Sequence, residues 1–266
     1  PACTAPAITG QPSTNSDVCT AGTKTISITA TGATTYQWQV DVSGTGTGTW
    51  TDLSNTGFYS GVTTNTLTIT GANNTIHGYD YRCKAINGTV SCFTTSNSSN
   101  LRVSTPNLNA YAQSNVSCFN GSNGTAVVIP AGGINGTAPG AYTYSWAPSG
   151  GTNQTATGLM AGTYTVTATD ATLPGCTVQR SFTITQPTSA VSATSVITNV
   201  ACNGGSNGSI NLTPAGGTPG YFVSWSGGVF TEDRIGIPAG TYHVTVEDAN
   251  GCQASYNIPV AQPATA

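Results

Sequence analysis

Ala161–Asp170 reads AGTYTVTATD, and the phrase returns as AGTYHVTVED at Ala239–Asp248. In the first copy Tyr164, Val166 and Ala168 fall on one side of an extended chain, and Thr163, Thr165, Thr167 and Thr169 on the other. In the second copy Tyr242, Val244 and Val246 take the apolar side. Apolar inward and threonine outward is the pattern of an antiparallel strand with one buried face. Working outward, each copy has the same frame. Upstream stands a cysteine-led loop, Cys118-FNGSNGTA and Cys202-NGGSNGSI, then Pro130-AGG and Pro214-AGG, then a tryptophan strand. That strand is Tyr142-x-Tyr144-x-Trp146 in one copy and Tyr221-x-Val223-x-Trp225 in the other. Downstream come Cys176 and Cys252, then Gln186-Pro187 and Gln262-Pro263. A duplication on this scale defines the architecture. The closing QPATA matches the earlier QPTSA, so the chain is expected to stop at a module boundary within a longer array.

Composition narrows the function classes. Charged residues are only 6% of the chain, against roughly 25% in an average globular protein. Threonine, serine, asparagine and 33 glycines take their place. Alternating β-branched and aromatic runs argue for folded β-structure rather than disorder. The net charge is −3 with six basic residues scattered along the length, so no patch is expected to bind nucleic acid. No apolar run approaches the roughly 20 residues of a spanning helix. PACTAPAITG lacks a basic and then apolar leader, which suggests a mature or internal start. No Cys-x-x-Cys is present to hold zinc, so the eight cysteines are read as disulfides in an oxidising, extracellular setting.

The first hundred residues differ from the rest. Alternating runs at Lys24–Ala30, Thr35–Val40, Thr66–Thr70, Tyr79–Ala85 and Leu101–Val103 predict short strands of a sandwich. This segment resembles an immunoglobulin-like domain of bacterial surface proteins. Trp38 matches the buried tryptophan of the third strand, Cys83 the cysteine of the sixth, and Tyr81 the tyrosine-corner position. His77 stands where many such domains carry an aspartate, and Cys19 lies well before Ile26–Ile28, where the partner cysteine would sit. Four cysteines allow three pairings; the resemblance favours Cys19 with Cys83 and Cys3 with Cys92.

The two later copies, in order Cys-Asn-Gly-x-x-Asn-Gly (Cys202–Gly208), PAGG, the tryptophan strand, AGTYxVTVxDxNGC and QP, resemble the SprB repeat. The first copy departs from it by reading Asp170-ATLPG-Cys176 where the second reads Asp248-ANG-Cys252, which only lengthens that turn. The resemblance covers residues 106–266. It implies a segment of a giant surface adhesin of gliding Bacteroidota, exported by type IX secretion and held at the outer membrane. The expected architecture is therefore all-β, with three tandem sandwiches at 1–105, 106–187 and 188–266. Trp38, Tyr81, Trp146, Tyr164, Trp225 and Tyr242 are expected in the cores. Pairing Cys118 with Cys176 and Cys202 with Cys252 would lock each repeat and let tension bypass most of it.

Chemistry is sparse. The nine acids are scattered, His77 and His243 sit in different modules, and no nucleophile elbow is present, so no enzyme or cofactor is expected. The acidic pairs Glu232-Asp233 and Glu247-Asp248 could offer oxygens to calcium, with Asp170, Asp248 and Asn250 as weak candidates; capping of a turn by Asp170 and Asp248 is the alternative. The Asn-Gly loops lack a P-loop ending and are read as tight turns with positive φ. Sequons such as Asn87, Asn123 and Asn207 arise by chance in such a composition. Trp50, Tyr59 and Tyr111 could stack on sugar if exposed, against the commoner fate of core or edge packing. The expected partners are neighbouring repeats and surface polysaccharide. A carbohydrate-binding array and a self-assembling filament remain alternatives.

Overall fold

A computed structural model describes residues 3–88, 91–135 and 141–264. The chain is all-β. The first sandwich is built from β1 (Ala7–Gly10), β2 (Asn15–Cys19), β3 (Thr23–Ser27), β4 (Thr29–Thr31), β5 (Thr35–Asp41), β6 (Thr51–Asp52), β7 (Tyr59–Ser60), β8 (Thr66–Thr70), β9 (Asp80–Ile86), β10 (Phe93–Thr95) and β11 (Ser99–Ser104). One sheet runs β2-β11-β9-β5-β6, with β10 on β9; the opposing sheet runs β3-β8-β7, and β1 pairs with β4. β2 lies parallel to β11, while the other pairs are antiparallel.

The second sandwich comprises β12 (Asn107–Ser114), β13 (Gly124–Ala131), β14 (Tyr142–Ala147), β15 (Thr155–Leu159), β16 (Gly162–Asp170) and β17 (Thr177–Ile184). The third repeats it as β18 (Ser192–Thr198), β19 (Gly208–Ala215), β20 (Phe222–Trp225), β21 (Arg234–Ile237), β22 (Gly240–Glu247) and β23 (Gln253–Val260). Both have sheets of the same order, β12-β13-β15 over β14-β16-β17 and β18-β19-β21 over β20-β22-β23.

The alternation read in the sequence sets the cores. Val166, Ala168, Val244 and Val246 are fully buried, and the intervening threonines are partly exposed. The tryptophan strand lies beside this one in the same register twice, with Trp146 opposite Val166 and Trp225 opposite Val244. Each indole N–H donates to a loop carbonyl: Trp38 to Thr64, between β7 and β8, at 3.0 Å, and Trp146 to Asn153 and Trp225 to Thr231, each in the loop after its strand, at 2.9 Å. A buried indole therefore keeps its polar edge satisfied. Tyr164 is buried and Tyr242 half-buried; their hydroxyls donate to the carbonyls of Met160 and Pro238, four residues upstream. In the first sandwich Tyr81 is fully buried, but its hydroxyl meets that of Tyr59 at 3.0 Å rather than the backbone.

The Cys19–Cys83 pairing expected above does not form. Cys83 is a free, fully buried thiol, directly across β5–β9 from Trp38. Ile26 and Ile28 fill the opposing strand, so no sulfur faces it from inside the core. Cys19 lies outside, at the end of β2. Replacing Trp225 by alanine should cost about 3–5 kcal/mol. In guanidinium, that should appear as a separate, earlier transition of the third sandwich, and an unshifted melting profile would show that Trp225 does not hold its core.

Candidate functional site: the bridged junctions

Each module carries one cysteine in a short turn: Cys19 at the end of β2, and Cys118 and Cys202 after the first strand of each repeat. Cys19-Thr-Ala-Gly22, Cys118-Phe-Asn-Gly121 and Cys202-Asn-Gly-Gly205 share the form Cys-x-x-Gly. In each, the glycine N–H donates back to the cysteine carbonyl, at 2.9, 2.9 and 3.0 Å. The third residue takes positive φ in all three: Ala21 at 61°, Asn120 at 57° and Gly204 at 75°. A side chain on Gly121 would start 2.9 Å from Val116 and 3.0 Å from the Cys118 carbonyl oxygen, so the last position has no room for one. The asparagines expected to supply positive φ divide their roles. Asn120 does so, whereas Asn123 and Asn207 act through their side chains, accepting the N–H groups of Ser117 (2.9 Å) and Ala201 (3.0 Å).

Each turn sits beside the exit of its module. The N–H groups of Thr20, Val116 and Val200 donate to the carbonyls of Ser104, Thr185 and Ala261, just at or past the last strand. The closing glutamines complete this frame, since the side-chain carbonyls of Gln186 and Gln262 accept from Asn120 (2.9 Å) and Gly204 (2.8 Å).

Another cysteine of each module, Cys92, Cys176 or Cys252, lies at the other end, in the last hairpin. There the N–H groups of Asn87, Asp170 and Asp248 donate to the carbonyls of Cys92, Cys176 and Cys252, each at 2.9 Å. The strand between the two ends, β16 or β22, is 9 or 8 residues long. At about 3.3 Å per residue the ends are separated by roughly 27 Å, while a disulfide needs Cα atoms within about 7 Å. The intramodule pairs Cys118–Cys176 and Cys202–Cys252 are therefore corrected. The bridges join neighbours instead: Cys19 to Cys176 and Cys118 to Cys252, with Cα atoms 5.3 and 5.7 Å apart. Cys3 is bonded to Cys92, and Cys202 is free and exposed. The repeated Cys-x-x-Gly spelling was the sequence signal that could have exposed this wiring.

Polar contacts reinforce both junctions. Ser104 at the exit of the first module donates its hydroxyl to Asp170 at 2.6 Å, and Thr105 N–H donates to the Gly132 carbonyl. At the second junction Asn250 donates from its side chain to the Ser117 carbonyl at 3.0 Å, and the Cys118 sulfur end packs on the third core. Gly132 and Gly216, the matching glycines of the PAGG loops, take positive φ and lie against the linker carbonyls of Thr105 and Ala190.

Asp170 and Asp248 are buried in these ends. Asp170 accepts the N–H groups of Ile134, Thr172 and Leu173; Asp248 accepts those of Thr218, Asn250 and Cys252. These donors turn hydrogens toward the oxygens that a calcium ion would need, the geometry of a capped turn. Among the described residues no cluster of three or more His, Cys, Asp or Glu could hold a metal. Burial by itself would raise both carboxyls. For Asp170 the Ser104 hydroxyl and the three N–H groups outweigh it; for Asp248 the three N–H groups do. Both are held below the ordinary aspartate value.

The remaining candidates do not converge. Tyr111 is half exposed, but the Arg180 guanidinium covers one face at 3.1 Å from the ring centre. Arg82 stands 4.1 Å over Trp50, and the Tyr59 hydroxyl is tied to Tyr81. His243 is exposed and paired with Asn257, and His77 accepts the Val103 N–H through Nδ1 at 2.9 Å.

Comparison with known proteins agrees with the repeat geometry. Residues 110–152 and 194–230 match the SprB repeat, so the chain carries two SprB repeats. The matched residues run from the first strand of each repeat through the cysteine turn to just past the tryptophan strand, and the last hairpins lie beyond them. No curated protein matches by sequence. Among solved structures, a mutated variant of titin domains I67–I69 aligns over 97% of this chain and 99% of its own, at 13% identity and a TM-score of 0.50. A titin I-band fragment of the same domains aligns over 99% and 100%, at 15% and 0.49. Three N-terminal domains of the bacteriophage RB49 outer capsid protein Hoc align over 97% and 100%, at 13% and 0.43. The first of these establishes the immunoglobulin-like sandwich fold. Repeat and fold together mark structural, adhesin-type extracellular modules.

Two outcomes follow. A native alkylation experiment should modify Cys202 and spare Cys83, whose thiol burial pushes up to about 12, until the first sandwich unfolds. A carboxyl whose pKa is depressed by folding stabilises above its unfolded value, about 3.9, and that stability is lost as pH falls through the folded value. Scanning calorimetry should thus show Tm falling below about pH 4. Asp170→Asn with Asp248→Asn should be less stable at pH 7 but show a smaller acid loss; an unchanged acid slope would exclude these carboxylates as its source.

Proposed function

We propose that this chain, with two SprB repeats following an immunoglobulin-like sandwich, is a load-bearing stalk segment of a bacterial cell-surface adhesin serving surface attachment or gliding, without enzymatic activity. The observation that carries this reading is that disulfides run between sandwiches rather than within the repeats. Each junction then has two covalent connections, the peptide linker and a bridge. A joint held at two points resists swivelling, so a pull at one end is transmitted without opening a hinge. The scarcity of charge makes such contacts insensitive to salt. Threonine- and asparagine-rich outer faces suit weak polar contact with polysaccharide. Export by type IX secretion and residence at the outer membrane are part of the proposal, supported by the repeat family.

The bridges also act on the unfolded chain. They close segments with sequence separations of 157 and 134. In the chain-entropy model each removes about 5 kcal/mol of unfolded-state freedom when the whole segment is unfolded. Single-molecule stretching between the termini tests the role. With both bridges closed, the spans overlap and most residues lie off the shortest covalent path. A reductant should therefore more than double the length to which the unfolded chain can be drawn, at up to about 3.3–3.6 Å per released residue. Equal extension with and without reductant would refute the load-bearing wiring.

A further inference from the structure

The bridges obey one rule. The turn cysteine at the exit of a module bonds the hairpin cysteine at the entry of the next: Cys19 to Cys176, Cys118 to Cys252. At the entry of the first module the hairpin cysteine, Cys92, is already closed by Cys3. One position of the series is unmatched, the exit turn of the third module, where Cys202 is exposed and free.

That turn is built as its bonded counterpart is. Val200 donates to Ala261 as Val116 does to Thr185, and Ala201 to Asn207 as Ser117 does to Asn123. Gly204 donates to Gln262 as Asn120 does to Gln186, and Gly205 closes on the Cys202 carbonyl as Gly121 does on that of Cys118. An additional bond from Asn203 to the Pro263 carbonyl, at 3.1 Å, ties the turn to the exit strand. No part of this frame depends on a partner being present. The cysteine of its own module, Cys252, lies at the far end of β22 and is already taken by Cys118.

We propose that Cys202 is a covalent docking site for the last-hairpin cysteine of a further SprB-type module seated on this exit. The site thereby sets polarity: modules add at the exit end, exit turn to entry hairpin, while the entry end of the first sandwich offers no thiol. Bond formation needs a disulfide oxidant, taken here as glutathione disulfide. The Cys202 thiolate attacks it, releasing one glutathione thiolate and forming a mixed disulfide. The hairpin thiolate then attacks the Cys202 sulfur and releases the second glutathione. Two protein thiols become one disulfide, and the oxidant accepts two electrons and the two protons as two glutathione thiols. The rule rests on internal geometry and stands apart from any load-bearing role.

The test extends the whole 266-residue chain by a second copy of residues 188–266, folded in a glutathione redox buffer. Non-reducing peptide mapping should recover Cys202 joined to the copied hairpin cysteine. Native alkylation of Cys202 should fall at least tenfold, and the reactive thiol should move to the copied turn cysteine. Continued reactivity of Cys202, or its pairing with the Cys202 of another chain, would overturn the proposal. The 266-residue chain with Cys118→Ser gives a test that needs no added module. The rule requires both Cys252 and Cys202 to be free there; a Cys202–Cys252 bond would sink it.

Discussion

The architecture depends on a separation that no side chain can bridge. In a sandwich of this kind the turn after the first strand and the hairpin before the last lie at opposite ends of strands 8 or 9 residues long. A cysteine at each end cannot reach its companion in the same module. Chain direction then does the rest. The last strand leaves where the turn cysteine sits, and the following module enters where its hairpin cysteine sits. The two sulfurs that meet belong to consecutive modules.

Everything at the junctions is arranged to present those sulfurs. The Cys-x-x-Gly turn holds the donor cysteine at the exit with positive φ at its third residue. The glutamine after the last strand fastens the turn to the departing chain. On the receiving side a buried aspartate gathers the N–H groups of the hairpin and of the PAGG loop, so the entry face is set by one carboxylate. At the first junction that carboxylate also takes the hydroxyl of Ser104 from the preceding module. Acid chemistry and disulfide chemistry thus stabilise the same few residues.

The first sandwich departs from the immunoglobulin pattern in a consistent way. Its core keeps Trp38 and, on β9, Cys83, but isoleucine occupies the opposing strand and the thiol is left buried, its pKa raised by that burial. The oxidising chemistry has moved from the centre of the sandwich to its two ends. There it staples the amino-terminal segment through Cys3–Cys92 and couples the next module through Cys19.

The all-β fold, the inward faces of the alternating strands and the tryptophan register were legible in the sequence, because alternation and repetition are local properties. AGTYTVTATD and AGTYHVTVED each state which side of a strand is buried without reference to anything distant. The Asx role of Asp170 and Asp248 was equally open to reading, since it engages residues two to four positions on. The partner of each cysteine was decided only by the tertiary structure. Matching places in the two copies suggested pairs within a copy, yet a disulfide answers to distance in space. That distance is set by strand length, by which end of the sandwich each turn occupies, and by how one module is seated on the next.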